Sequence, residues 1–229
     1  MSRSNITKQE ELTHISSYVS KLIKSKFGKG PETCFTSISD QYIVVHIKKF
    51  MTKIESELLK KEDFATAGKI RKNIMKDLLD PIQEMLEETC GKPIIQIYQD
   101  WNFQKNTGVL LAVVNVGQRG KVENSLEFML LRNEISKQSE FYQYQPNELD
   151  FTKIGDTIYI IRCAGYILPI ERILIEKGMH ILEEREEIIR KRYDASIYRF
   201  NKIINNDIHD IFMIWNYEIN ESYKIFYCK

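Results

Sequence analysis

The chain has almost no net charge, no long apolar run and no paired cysteines, and each absence removes a class of function. Lys and Arg number 33 against 32 Asp and Glu, leaving a formal charge of +1. No global field therefore draws the chain to nucleic acid or to anionic lipid. No stretch approaches the roughly 20 apolar residues that a bilayer span requires. The most apolar run, Val109 to Val114, is strand-sized. The N-terminal region has neither an apolar core nor a cleavage signal, which predicts a protein that is not secreted. Cys34, Cys90, Cys163 and Cys228 form no CxxC pair. That pattern predicts reduced thiols in a cytoplasmic protein, not a disulfide frame or a zinc site. HExxH, GxSxG and GxGxxG are all missing, and nothing assembles nucleophile, base and orienter. The expectation is a non-enzymatic protein with no cofactor and no metal. What remains is a composition that is 43% hydrophobic and 28% charged, that of a soluble globular chain. Its 229 residues suffice for one large domain or two small ones.

Internal similarity favours two. With Phe35 laid on Phe151, "PETCFTSISDQYIVVHI" falls on "NELDFTKIGDTIYIIRC". The same shift puts Ile54, Glu55 and Leu58 on Ile170, Glu171 and Leu174, and Trp101 on Tyr217. We read a tandem duplication, with units 1–118 and 119–229 and "GQRGK" (117–121) as the linker. In the first unit, Thr7 and Glu10 form a capping box ahead of Leu12, Ile15, Val19 and Leu22 at helical spacing. Two β-rich runs follow at 33–38 and 42–48, then a second capping box at Thr52 and Glu55. A long helix at about 64–88 carries Ile70, Ile74, Leu78, Ile82 and Met85, with a kink expected at Pro81 and a stop at Gly91 and Pro93. Strands at about 94–100 and 108–115 close the unit. The second unit repeats the order. A helix carries Val122, Leu126, Met129 and Leu130, strands come at about 149–154 and 157–163, and Pro169 opens a short helix. A long helix from about His180 to Ile204 and a hairpin at about 211–217 and 223–228 end the chain. The predicted class is α+β: two tandem units of order α-β-β-α-α-β-β, antiparallel strands packed against helices, related by a pseudo-two-fold axis.

The candidate motifs are few. "GKGP", Gly28 to Pro31, has the glycines and lysine of a phosphate cradle, but it follows a helix and precedes a strand, the reverse of a P-loop. We read it as a helix stop and re-entry turn. The competing reading is a small anion site at Gly28, Lys29 and Gly30, with Lys29 as the charge. His46 meets Arg162 across the repeat, and we expect an exposed strand residue there. Asp207, His209 and Asp210 sit at a helix-to-strand turn where polar residues are ordinary. "EEREEIIRKR" (183–192) pairs Glu186 with Arg190 and Glu187 with Lys191 at i,i+4 and reads as a solvated helix face. The aromatics of the second unit, from Tyr193 to Tyr227, read mostly as core.

Gly28-Lys29-Gly30-Pro31, the Thr52–Glu55 helix start, Pro81 followed by Thr89 and Gly91, and Asp100 ahead of Gly108 together carry a resemblance. Residues 8–116 resemble the MpsC-like family of small bacterial domains, formerly a domain of unknown function. The second unit resembles it through its strand pattern and Glu171 but lacks the Gly-Lys-Gly-Pro turn, Gly91 and Asp100. The resemblance implies association with a sodium-translocating, membrane-potential-generating system linked to inorganic-carbon transport. It supplies no catalytic residues. The expected protein is a cytoplasmic accessory or regulatory factor at the inner face of the membrane. Its partners would be a membrane transport protein and, through the same domain surface, other copies of the domain. The rival reading is a sensor that binds a small molecule or anion between the two units, with Lys29 on one side.

Overall fold

A computed structural model describes residues 7–117, 125–140, 145–177 and 181–229. The linker beyond Gly117, Val122 and His180 lie outside the described residues. The chain divides into two compact units, Met1–Arg119 and Gly120–Lys229.

Unit 1 runs α1 (Lys8–Phe27), β1 (Thr33–Ile38), β2 (Tyr42–Lys48), α2 (Lys53–Lys60), α3 (Phe64–Cys90), β3 (Ile94–Asn102) and β4 (Thr107–Val114). Its antiparallel sheet has the order β1-β2-β4-β3. Local chemistry sets most of these boundaries. Thr7 and Thr52 each accept from the backbone amide three residues on, and Glu10 and Glu55 return the bond to the cap amide. Gly28 ends α1 and Gly91 ends α3 in the left-handed region, at φ 73° and 66°, where glycine carries no Cβ penalty. One face of the sheet holds Ile43, Val45, Ile47, Leu110, Ala112 and Val114. Ile15, Val19 and Ile23 of α1, with Met75, Leu78 and Ile82 of α3, pack on it.

Unit 2 repeats the plan as α4 (Leu126–Glu140), β5 (Glu148–Ile154), β6 (Ile158–Ala164), α5 (Pro169–Glu176), α6 (Ile181–Ala195), α7 (Ile197–Ile204), β7 (Ile208–Asn216) and β8 (Glu221–Cys228). The sheet order is again serial then crossed, β5-β6-β8-β7. Even the strand irregularity recurs, between Ile94 and Gln96 in β3 and between Ile208 and Asp210 in β7. The α+β class and two-unit layout stand. Tyr193 stacks on Phe200 at 5.4 Å and Phe200 meets Phe226 edge-on at 4.9 Å, inside the second core.

Several sequence expectations change. In the first half of α3 the buried line is Ala67, Arg71 and Met75, with Ile70 and Ile74 only half-buried. On α4, Leu126, Met129 and Leu130 are exposed, and the buried face is Phe128, Leu131, Glu134, Ile135 and Gln138. Polar residues disguise that face because they satisfy each other. Gln138 Nε2 donates to Glu134 at 2.9 Å and to Ser196 Oγ at 3.2 Å, and Gln138 Oε1 accepts from Arg192 at 3.1 Å. The expected single helix to Ile204 is interrupted at Ser196, whose ψ of 4° leaves the helical range.

The two units also differ in register. Phe35 pairs with His46, whereas Phe151 pairs with Ile161, one position out of step. A one-residue slip sends a side chain to the opposite face. Phe35 is accordingly 50% exposed, while Phe151 is in the core, stacked on Phe128 at 5.2 Å. In the last hairpin Trp101 lies opposite Gly108 and Trp215 opposite Ser222. The structural counterpart of Trp101 is therefore Trp215, not Tyr217.

Candidate functional site

The Gly28–Gly30 turn is held by local contacts. Gly28 caps α1, and a Cβ on Gly30 would come within 3.2 Å of Lys24 Cβ. Lys29 is exposed, and its Nζ donates to the Met51 carbonyl at 3.3 Å. The three residues stay together, and the amine ties the turn to the loop that enters α2.

A more developed arrangement lies where α2, α3 and the β3–β4 hairpin meet. Glu55, third residue of α2, accepts from the Thr52 amide at 2.8 Å and also faces Arg71 of α3. Arg71 Nε donates to Glu55 Oε1 at 2.5 Å and Arg71 Nη2 donates to Glu55 Oε2 and to the Phe50 carbonyl. Both side chains are 1% exposed. The guanidinium lies 4.4 Å from the Phe50 and Trp101 ring centres and 5.0 Å from that of Phe103, a desolvated cation against three π faces. Burial pushes the Glu55 carboxyl up, but Arg71 and the Thr52 cap outweigh it and hold it below the usual carboxylate range. Gly108 makes room for this packing: a Cβ there would sit 2.1 Å from the Trp101 ring.

Unit 2 builds the same arrangement more loosely. Glu171 accepts from the Leu168 amide at 2.9 Å and pairs with Arg185 at 2.8 Å, the two side chains being 14% and 17% exposed. Arg185 lies 6.0 Å from the Tyr166 ring, which packs on Trp215 at 5.5 Å and Tyr217 at 6.2 Å. Tyr166, Trp215 and Tyr217 thus stand for Phe50, Trp101 and Phe103.

Beside this group the second unit has a cavity that includes Cys163, Tyr166, Tyr193, Trp215, Ser222 and Lys224 in its wall. The space open to the centre of a water molecule is about 40 Å³. Strand register gives the counterparts. Cys163 opposes Ser222 as Ile47 opposes Gly108, and Lys224 opposes Ile161 as Leu110 opposes Val45. Unit 1 therefore has Ile47, Phe50, Gly108 and Leu110 where unit 2 has Cys163, Tyr166, Ser222 and Lys224. Lys224 is 6% exposed. Its Nζ donates to Cys163 Sγ at 3.1 Å and lies 5.8 Å and 5.7 Å from the Tyr193 and Trp215 rings. Tyr166 Oη, Trp215 Nε1 and Ser222 Oγ are buried with no hydrogen-bond partner among the described residues.

Residues 7–116 match the family model described as Na+-translocating membrane potential-generating system (MpsC). The first unit belongs to the MpsC family. No curated protein and no solved structure matches the chain. The family description ties the MpsC unit to a sodium-translocating system that generates membrane potential. Among the described residues, no helix is long and apolar enough to cross a membrane.

Within the MpsC unit, sequence reasoning found Glu55 as a cap but missed Arg71, because an arginine inside a long helix reads as a surface residue. The signal available was Glu55 recurring as Glu171, with an arginine in each following helix and a tryptophan in each later strand. His46 was expected to be exposed and is fully buried. It sits on β2, an inner strand flanked by β1 and β4 and buried almost end to end, as continuous apolar runs on inner strands are. Arg162, at the corresponding place, is also buried and is held by Glu221, by Asp150 at 2.6 Å and by Glu148 at 3.3 Å. Burial opposes its charge, but these carboxylates more than compensate and raise its pKa. In the 183–192 run, Glu187 and Lys191 form the expected exposed pair at 2.7 Å. Arg185 and Glu186 instead turn inward, Glu186 accepting from the Tyr217 hydroxyl. Of Asp207, His209 and Asp210, only Asp210 is buried.

Proposed function

We propose that the protein is a cytoplasmic, non-enzymatic accessory or regulatory component of a sodium or inorganic-carbon transport system, acting by contact with a membrane-embedded subunit. The family match of the first unit carries this reading. The inward-facing use of the conspicuous charges supports it: Glu55 and Arg71 are consumed in holding α2, α3 and the β3–β4 hairpin together, which is the work of a scaffold. We further propose that the two units arose by duplication. The shared sheet order, the recurring strand irregularity and the repeated carboxylate–arginine–aromatic arrangement support that origin. The test is affinity capture of the tagged chain from native membranes in mild detergent. Recovery of an integral membrane transport subunit is the expected result, and capture without any such subunit overturns the reading.

A further inference from the structure

We propose that the cavity in unit 2 binds a small planar anion, a carboxylate or trigonal oxyanion of three or four heavy atoms, held by Lys224 with hydrogen bonds from Trp215, Tyr166 and Ser222. The charge argument comes first. Lys224 stands on the helix-facing side of its sheet, and among the described residues no carboxylate lies within 4.0 Å of its amine. Its contacts, the Cys163 sulfur and the Tyr193 and Trp215 ring faces, bring no full negative charge, and a buried ammonium gains most from an anion. Among the described residues, Glu171 is engaged by Arg185, Glu186 by the Tyr217 hydroxyl and Glu134 by Gln138 and Arg199.

The donor set points the same way. Trp215 Nε1 can only donate, and the Tyr166 and Ser222 hydroxyls are free to donate. With the Lys224 ammonium, that makes four donor groups on residues that wall one space, three of them buried without a partner among the described residues, a set that suits an anion and not a cation. The fold does not need three of them, because unit 1 builds the same frame with Phe50, Gly108 and Leu110 in place of Tyr166, Ser222 and Lys224, and its Trp101 Nε1 is already taken by Gln99 at 2.9 Å. A void of about 40 Å³ holds about three waters at roughly 10–15 Å³ each, the size of a formate, acetate, nitrate or bicarbonate ion. The flanking Tyr193 and Trp215 rings favour a flat occupant.

The experiment uses the purified full chain, so it is independent of any membrane partner. Thermal unfolding is followed with sodium formate, acetate, nitrate and bicarbonate at constant sodium concentration. Sodium chloride is the reference, and sulfate and phosphate are the tetrahedral controls. The expected result is a saturable rise in Tm with at least one planar anion, lost or weakened about tenfold or more in Lys224→Met. That variant should fold, since Leu110 fills the corresponding place in unit 1. Tyr166→Phe, which removes one hydroxyl and copies Phe50, should weaken the same anion severalfold and serves if Lys224→Met does not fold. No planar anion exceeding chloride overturns the proposal, as does unchanged affinity in both variants. Equal stabilisation by sulfate or phosphate overturns the planar assignment.

Discussion

Arg71→Met removes the guanidinium that neutralises Glu55 and leaves a similar apolar stem against Phe50 and Trp101. Glu55 would keep only its bonds from the Thr52 amide and hydroxyl, both at 2.8 Å. Both partners of the ion pair are 1% exposed, so the orphaned carboxylate cannot hydrate without opening the α2–α3 contact. Breaking such a pair by removing one partner costs about 3–5 kcal/mol, and the lost contact with three rings lies within that figure. For a urea slope of about 2 kcal/mol per molar, the midpoint of unit 1 should fall by roughly 2 M. The chain has 2 tryptophans, Trp101 beside Arg71 and Trp215 in the corresponding place of unit 2, so a Trp215→Phe background lets emission report unit 1 alone and Trp101→Phe unit 2. Arg185→Met, whose pair is wetter, should cost less, about 1–3 kcal/mol. Removing both charges of unit 1 with Glu55→Gln and Arg71→Met should recover part of the loss, because no unpaired charge stays buried. A loss below about 1 kcal/mol for Arg71→Met would refute this reasoning, as would a double variant no more stable than the single one.

Gly108→Ala should destabilise unit 1 by about 1–3 kcal/mol or more through forced displacement of Trp101, read as a shift in its emission and near-ultraviolet dichroism. Ser222→Ala, where a Cβ already exists, should leave unit 2 within about 1 kcal/mol. The Glu55 carboxyl is lowered on folding, so its contribution is complete above the unfolded value of about 4.3 and is lost as pH falls through the folded value. Urea midpoints measured from pH 5 to pH 3 should fall, and Glu55→Gln should flatten that slope; an unchanged slope counts against the pairing. Burial pushes the Cys34 thiol up to about 12 and the Cys228 thiol up to about 11. Both should resist a disulfide reagent at neutral pH until the chain unfolds, and rapid labelling of Cys34 in native protein would contradict its packing. Lys29→Ala removes one exposed bond to a carbonyl and should change stability by about 0.5 kcal/mol or less. A saturable anion response that disappears in this variant would establish the Gly28–Gly30 turn as a site, and an unaltered response would leave it a turn.

Much of the fold is written locally. Both Thr–Glu capping boxes, the Gly28 and Gly91 helix stops, Pro169 at a helix start and the hairpin strands Thr33–Ile38 and Tyr42–Lys48 depend on neighbours within a few residues. A linear reading can therefore recover them. The buried face of α4 is different, because Glu134 and Gln138 qualify as interior residues only through Ser196, Arg192 and Arg199 from a distant helix pair. The facing of Phe35 and Phe151 is decided by a one-residue difference in strand register, which their shared Phe-Thr pair does not reveal; the hairpin closes as Ile38 opposite Ile43 in one unit and Ile154 opposite Ile158 in the other. Arg71 and Lys224 carry the strongest lesson. As letters they are ordinary surface cations, yet one closes a buried pair and the other stands in the wall of an interior cavity. The sequence by itself determined most of the helix and strand boundaries, though not the break at Ser196, since caps, turns and periodicity act over a few residues. The tertiary structure alone decided which charges are interior, since burial and pairing depend on chain segments that meet only once the sheet and helices are assembled.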